Sequence, residues 1–221
     1  MERQPVLTAA FGRVFHVKHK LQGLATFAGL AFDDGQWGLL ERYGVWLETE
    51  ALPAGGIGPA EAPRIIGRHI GDSLAYAWVL GARPRRLVDY GSGVGLPGIP
   101  LAIAWPATEC ELIDRSGRRV ELMERAVHVL GLENVTVFRG DVQEDDRLHD
   151  AIVTRALFPA DRWVEWIGPR LAVGGKAVTS LGGAETPATA GGGVRLGIHS
   201  LPPGMLDHSV TFLMMTRENR E

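Results

Sequence analysis

The residues best suited to chemistry follow a short apolar run. Leu87 and Val88 lead into Asp89, and Gly91, Gly93 and Gly95 come next, alternating with Ser92 and Val94. Pro97 and the apolar segment Ile99 to Trp105 complete the stretch. A strand, a tight glycine turn and a helix opened by proline fit this order. Glycine permits positive φ and lets a ligand approach the backbone without a Cβ in the way. The helix N-terminus presents free N–H groups. At the carboxyl end of a parallel strand, this is a cradle for a nucleotide-type ligand. A second acid lies one strand on. Glu111-Leu112-Ile113-Asp114 reads as that strand, and Asp114 at its end can accept hydrogen bonds from both ribose hydroxyls of a nucleoside. A dinucleotide fingerprint wants glycine at the first, third and sixth positions. Here the sixth is Leu96, and Gly95 is the fifth.

The elements around these residues alternate. Residues 1 to 50 read as mainly helical: Phe11, Val14, Phe15 and Lys18 fall at helical spacing, as do Trp37, Leu40, Tyr43 and Leu47. Leu52 to Pro63, rich in Gly, Pro and Ala, reads as a loop. Arg64 to Leu80 reads as one helix carrying Arg68, His69 and Asp72 on neighbouring turns. Ser116 is placed to cap a helix that runs to Leu130 and ends at Gly131, with Val120, Met123, Val127 and Leu130 as its buried stripe. Val135 to Arg139 is the third strand. Ala151 to Thr154 is the fourth and delivers Arg155 to the ligand edge. Trp163, Trp166 and Leu171 fall on the next helix. Gly174-Gly175 turns into a fifth strand, Lys176 to Leu181. Val194–Ile198 and Val210 to Met215 complete a sheet of the parallel α/β kind.

Composition sets bounds. The 221 residues suffice for one α/β domain with a short extension, and 45% are hydrophobic, enough for a sizeable core. No apolar run reaches membrane-span length, so no membrane association is expected. One cysteine, Cys110, excludes an intramolecular disulfide framework and fits a reducing, cytoplasmic location. His16 and His19, beside Lys18 and Lys20, lack further ligands, so a solvated basic face is expected and no metal. The net charge of −3 supplies no electrostatic footprint for nucleic acid.

G-x-G-x-G after an acidic strand end resembles motif I of class I S-adenosylmethionine (SAM) methyltransferases. More narrowly, GSGVGLPGIPLAIAWP is similar to the motif I region of the RsmG (GidB) methyltransferases. IDRSGRRVELME looks like their second-strand acid and basic pair. RHIGDSL, Arg68 to Leu74, resembles their Arg-His-x-x-Asp-Ser-Leu helix, and VTRAL, Val153 to Leu157, their Ser/Thr-Arg-Ala motif. The resemblance covers about residues 60 to 181. It implies a Rossmann-like class I methyltransferase fold: a mostly parallel twisted sheet with helices on both faces, plus an N-terminal helical extension. Residues 1–60 would form a helical cap and 61–221 the SAM-binding domain, together one compact unit. Family members methylate guanine N7 in the 530 loop of 16S ribosomal RNA, converting SAM to S-adenosylhomocysteine. By the resemblance, Asp89, Gly91, Gly93, Leu96, Asp114 and Arg155 hold the cofactor, and Val142 and Gln143 flank its adenine. Gln143 stands where the family usually has glutamate. Arg68 and Asp72 face the acceptor, and Arg155 orients it. His69 is the first choice of catalytic base, with His16 and His19 behind it.

Departures from the family are on the acceptor side. Gly55-Gly56-Ile57-Gly58-Pro59 replaces an Asn-x-Thr segment. Gly182-Gly183 replaces a Lys-Gly pair, and AETPATAGGG, Ala184 to Gly193, replaces a charged helix. With the acidic balance, these favour a small aromatic metabolite as acceptor over the alternative, 16S rRNA. Phe11, Phe15, Trp37 and Trp46 could line a pocket for it, although packing against the sheet suits them better. An open basic shelf beside Arg155 would indicate RNA; a closed aromatic pocket would indicate a small molecule.

Overall fold

The computed structural model describes residues 17–182 and 193–218. Phe11, Val14, Phe15, His16 and most of the glycine-rich run after Gly182 lie outside them. Among the described residues, seven strands form one sheet in the order β3-β2-β1-β4-β5-β7-β6. They are β1 (Arg86–Tyr90), β2 (Glu109–Asp114), β3 (Val135–Arg139), β4 (His149–Arg155), β5 (Leu171–Leu181), β6 (Val194–Ser200) and β7 (Thr211–Arg217). The first five pair in parallel, and β7 lies antiparallel between β5 and β6. The chain order reverses between β1 and β4, so a crevice opens above the carboxyl ends of these strands. Leu87, Leu112 and Val153 point into one apolar layer, and Val88, Ile113 and Ile152 into the other. The first layer is covered by α3 (Asp72–Leu80), α4 (Gly98–Ala104) and α5 (Gly117–Leu130), and the second by α6 (Ala160–Ile167).

Local chemistry explains where the elements start and stop. Gly131 ends α5 in the left-handed conformation, φ +67°, as a C-cap glycine should. Leu171 begins β5 instead of ending α6. The β4–β5 register breaks between His149 and Ala151, opposite Gly174-Gly175. A Cβ on Gly175 would lie 2.8 Å from the Ala172 carbonyl, so only glycine passes there. The largest departure is the expected single helix over Arg64 to Leu80. It divides into a 3₁₀ turn, Pro59–Arg64, a wide π turn, Ile65–Gly71, and then α3. Pro63 removes a backbone donor, and Gly67 and Gly71 weaken regular helix. These glycines also admit neighbours: a Cβ on Gly71 would lie 2.8 Å from Leu206. Wide turns of this kind recur at functional sites, because they re-aim side chains. Here the turn carries Arg68 and His69, with Asp72 directly after it.

Residues 17–27 (α1) and α2 (Asp34–Trp46) are helical, and α2 runs on as a π turn, Leu47–Ala51. Asp33 caps α2 in a reciprocal pair with Gln36. Leu21, Leu40, Tyr43 and Leu47 are fully buried and belong to the same core as β1 and α4. The layer backs α4 and α5, where Arg118 donates to the Ala54 carbonyl and Arg125 pairs with Glu50. It also supports the Ile65–Gly71 turn through Leu21 and Lys20. Trp37 and Trp46 are core residues.

Candidate active site

The glycine turn is organised from below by Asp89. This carboxylate is fully buried. Its Oδ2 accepts from the Ser92 hydroxyl at 2.6 Å and from the Gly98 amide at 2.8 Å, so one oxygen ties both ends of the turn. Oδ1 has no hydrogen-bond partner. Burial therefore outweighs the two bonds and pushes the carboxyl up to about 7. Asp89 was expected to touch the cofactor; it sits beneath the loop and lines neither cavity. Gly91, Gly93 and Gly95 all take positive φ, at 69°, 66° and 98°. From the helical layer, the Tyr43 hydroxyl donates to the Val94 carbonyl at 2.9 Å and holds the turn from outside.

Above the turn lies a cavity of about 450 Å³. Gly91, Gly93, Leu96, Asp114, Val142, Gln143 and Arg155 all line it. Asp114 Oδ2 accepts from the Gly93 amide at 3.0 Å, and Oδ1 from the Ser116 amide at 2.9 Å. Asp114 thus fixes the residue before α5, Ser116, whose own hydroxyl makes no cap bond. Each carboxylate oxygen keeps a lone pair for a ribose hydroxyl. A Cβ on Gly93 would meet nothing nearer than the Gly91 carbonyl at 4.0 Å, so the space a side chain would occupy is cavity. This arrangement fits an adenosyl group. Asp141 also lines the cavity and was not anticipated from sequence. It ends its strand region as Asp89 and Asp114 end theirs, and that repeated placement was the available signal. Its Oδ1 accepts from the Gln143 amide at 3.0 Å, which shapes the turn that carries Val142 and Gln143.

A second cavity, about 1050 Å³, adjoins the first. Arg155, Ala156, Leu157 and Phe158 line both. Its walls bring together Glu61, Arg64, Arg68, His69 and Asp72 from the re-aimed segment, Ser180 from β5, and Asp207 and His208 from the β6–β7 connection. Apart from the histidines, Phe158 is its one aromatic among the described residues. Of residues 17–60, only Gly56 reaches either cavity. Arg155 Nη1 is 3.1 Å from His69 Nδ1, and His69 Nε2 is 3.3 Å from Glu61 Oε2. Burial first, and then the Arg155 charge, push the His69 ring down to about 4. It is therefore neutral at pH 7, and its Nδ1 is engaged by Arg155. That is not the free base expected of it. His19 lies on α1 and lines neither cavity.

Asp72 and His208 form a 2.7 Å pair, and His208 also meets Asp207 at 2.8 Å. Burial lowers the His208 ring, but the bonds to Asp207 and Asp72 outweigh it and raise the ring above its ordinary value. Burial raises Asp72 despite the bond from His208. Nothing in the local sequence announces Asp207 or His208. They enter because the β6–β7 connection folds back onto Gly71 and Lys20, where Lys20 lies 3.5 Å from Asp207. Among the described residues, no group of three or more His, Cys, Asp or Glu could hold a metal ion, and no helix is long and apolar enough to cross a membrane.

With the geometry in place, comparison with known proteins is informative. The family described as rRNA small subunit methyltransferase G (GidB) matches residues 38–186. Relatives named ribosomal RNA small subunit methyltransferase G are similar along much of the chain. The protein from Acidothermus cellulolyticus is 38% identical over 150 residues, 68% of this chain and 67% of that one. That from Salinispora tropica is 33% identical over 214 residues, 88% and 87%. The Mycolicibacterium paratuberculosis protein is 42% identical over 147 residues, which span 64% of this chain and 58% of that relative. Among solved structures, MtNAS in complex with MTA and tNA superposes with a TM-score of 0.58 at 21% identity, covering 82% of this chain and 70% of that one. TrmN from Thermus thermophilus gives 0.53 at 17%, covering 67% and 48%. These two likenesses establish the fold.

Proposed function

The chain belongs to the rRNA small subunit methyltransferase G (GidB) family of SAM-dependent methyltransferases, and we propose that its acceptor is a guanine N7 of 16S rRNA, with SAM in the smaller cavity and the nucleotide in the larger. The observation that carries this reading is the distribution of charge around Arg155. Arg64, Arg68, Arg115 and Arg119 are exposed along the two cavities, while Glu61, Asp72, Asp114 and Asp141 sit partly or fully buried in their walls. Among the described lining residues the one exposed acid is Asp207, whose carboxylate is engaged by His208 at 2.8 Å and Lys20 at 3.5 Å. The rim therefore offers guanidinium groups to phosphates, although the chain as a whole carries −3. Net charge is a sum over all faces and does not describe this one.

The small aromatic acceptor expected from the sequence finds no support. The relatives carry ribosomal RNA in their names. The described lining of the larger cavity mixes ionic side chains with aliphatic ones such as Leu157, Leu181 and Val210, Phe158 is its one aromatic apart from the histidines, and Trp37 and Trp46 are buried elsewhere. The glycine at 182 does remove a family lysine, but the arginine rim supplies phosphate contacts without it.

In this reading Asp114 holds the ribose, Val142 and Gln143 flank the adenine, and the glycine turn lets the ligand lie against backbone. When bound, SAM supplies an electrophilic methyl group, which a ring nitrogen with a free lone pair takes by direct displacement with no base. The chain's part is to hold acceptor and donor in line and to exclude water. Arg155, on the boundary of both cavities, orients the acceptor. The protein would work in the cytoplasm, where ribosomal subunits are. The experiment is transfer from labelled SAM to small ribosomal subunits from a strain lacking its own enzyme of this family. Label in a single guanine of 16S RNA is expected. No label there, with a small aromatic acceptor labelled instead, would reverse the assignment.

A further inference from the structure

A nitrogen acceptor leaves His69 without an obvious task, yet the residue is buried in the wall of the larger cavity, its side chain 9% exposed. A guanidinium can only donate hydrogen bonds. In the 3.1 Å contact with Arg155 Nη1, His69 Nδ1 is therefore the acceptor. The ring proton then belongs on Nε2, which faces Glu61 Oε2 at 3.3 Å. The contact is an ion-pair approach rather than a formed hydrogen bond: among the described residues neither atom has a hydrogen-bond partner, and Arg68 Nε faces the same Glu61 oxygen at 3.8 Å. Arg155 faces the ring from β4, and Glu61 and Arg68 face it from its own segment. The Asp72–His208 pair lines the same cavity. With Nδ1 committed and Nε2 protonated, the ring has no lone pair free to receive a proton.

We propose that His69 is a positioning residue: as the neutral Nε2–H tautomer it fixes the Arg155 guanidinium on the boundary between the cofactor and acceptor cavities. The backbone agrees with a fixed Arg155. The next residue, Ala156, has φ +52° and is the one non-glycine residue at positive φ among the described residues. Such a conformation persists where the surroundings over-determine it, and it clusters at working sites. β4 anchors Arg155 at its Cα and His69 anchors it at its far end. A donor held in advance loses nothing to reorganisation when charge moves.

The kinetic arm of the test rests on the proposed acceptor; the spectroscopic arm does not. Nitrogen-15 NMR of the wild-type protein should show His69 as the Nε2–H tautomer, unprotonated at Nδ1, from pH 6 to 8. A ring titrating near 6.5, or a proton on Nδ1, would overturn the proposal whatever the acceptor is. In single-turnover methylation of 16S RNA, His69→Ala should lose at least tenfold in rate with SAM affinity retained. His69→Asn, whose Oδ1 can still accept from Arg155, should recover to within about threefold of wild type. His69→Ala placed on Arg155→Ala should cost less than twofold more, because both remove one function. An Asn variant as slow as Ala, or additive losses in the double variant, would mean that His69 acts on its own account. If the Ala variant does not fold, the Asn variant and the NMR tautomer decide. If wild type labels no 16S RNA, the acceptor assignment fails and the tautomer alone judges His69.

Discussion

The two cavities share Arg155 but are built in different ways. The cofactor cavity is mostly backbone: a glycine turn, three strand ends and two carboxylates whose oxygens bind amides. Asp89 to Gly98 beneath it, and Asp114 to Gly93 and Ser116 in its wall, are 2.8–3.0 Å bonds at the ends of parallel strands. The acceptor cavity is mostly side chain. It is assembled from the 59–72 segment, the end of β4, the end of β5 and the β6–β7 connection. The first kind of site shares its backbone bonds with the fold, so changes beneath it are felt in stability. The second can lose a residue and keep the fold, because its exposed ion pairs contribute little to stability. Acceptor choice can therefore change while cofactor binding stays.

Removal of the layer that both cavities lean on should have the largest effect. Tyr43 holds the glycine turn, and Leu21 and Lys20 back the turn that carries His69. A chain beginning at Ala62 is expected to show no cooperative unfolding transition by circular dichroism, since Leu21, Leu40 and Leu47 belong to the common core. A folded, fully active truncated protein would show that the cap and the sheet are separable.

Next in size is Gly98→Ala. Its Cβ would lie 2.2 Å from Leu112 and 2.8 Å from Asp89 Oδ2, both buried. A cost of about 2–3 kcal/mol in urea unfolding is expected from overpacking. Arg68→Ala, on the acceptor side, should move stability by less than about 0.5 kcal/mol, because its 3.8 Å contact to Glu61 is half exposed. Equal losses for the two would remove the distinction between the cavities. Asp114→Ala should weaken SAM at least about tenfold, on the order of 1.4 kcal/mol, by calorimetry. Unchanged affinity would take Asp114 off the ribose.

The same distinction governs what could be read in advance. β3 has the bounds its residues suggest, Val135–Arg139, and β1, β2 and β4 extend one or two residues past their apolar runs. That Asp114 lines the cavity was legible because a parallel sheet opens its crevice at the carboxyl ends of its strands, where β2 ends. Asp89 shares that position, yet its task is to tie the turn, which only three-dimensional contacts reveal. The start of the helix expected over Arg64 to Leu80 is instead the wide turn Ile65–Gly71: helical periodicity does not register the i→i+5 bonding that Gly67, Gly71 and the preceding Pro63 permit. Asp207 and His208 reach the site through a loop packed 136 residues away from its partner, Asp72, and no local pattern encodes that distance. The tautomer of His69 likewise depends on Arg155, 86 residues on.

RNA affinity offers a smaller effect that bears on the acceptor side alone. Arg64→Ala and Arg68→Ala should each weaken 16S RNA binding without changing SAM affinity. Each should reduce the slope of log affinity against log salt by about 0.7–1, the amount for one phosphate contact. A pair of variants with wild-type slopes would mean that the rim does not touch the backbone.

The smallest expected effect concerns the His208–Asp72 pair, and it contrasts with Asp89. Both groups titrate higher than usual, for opposite reasons. Asp89 is raised because it is buried with too few partners. His208 is raised because two carboxylates outweigh its burial. A raised folded value for a histidine means that the folded state binds the proton more tightly than the unfolded chain. The contribution is therefore complete below the unfolded value of about 6.5 and is lost as pH rises through the folded one. His208→Gln should cost more at pH 6 than at pH 9 in urea unfolding, and under about 1 kcal/mol in total, because the ring is 29% exposed. Asp89 also makes stability fall with rising pH, between about 4 and 7. It is present in both proteins, so its slope cancels from the difference. A cost that grew toward pH 9 would mean that His208 is held neutral, and the acceptor loop would then be docked by packing, with Leu206 against Gly71 as its anchor.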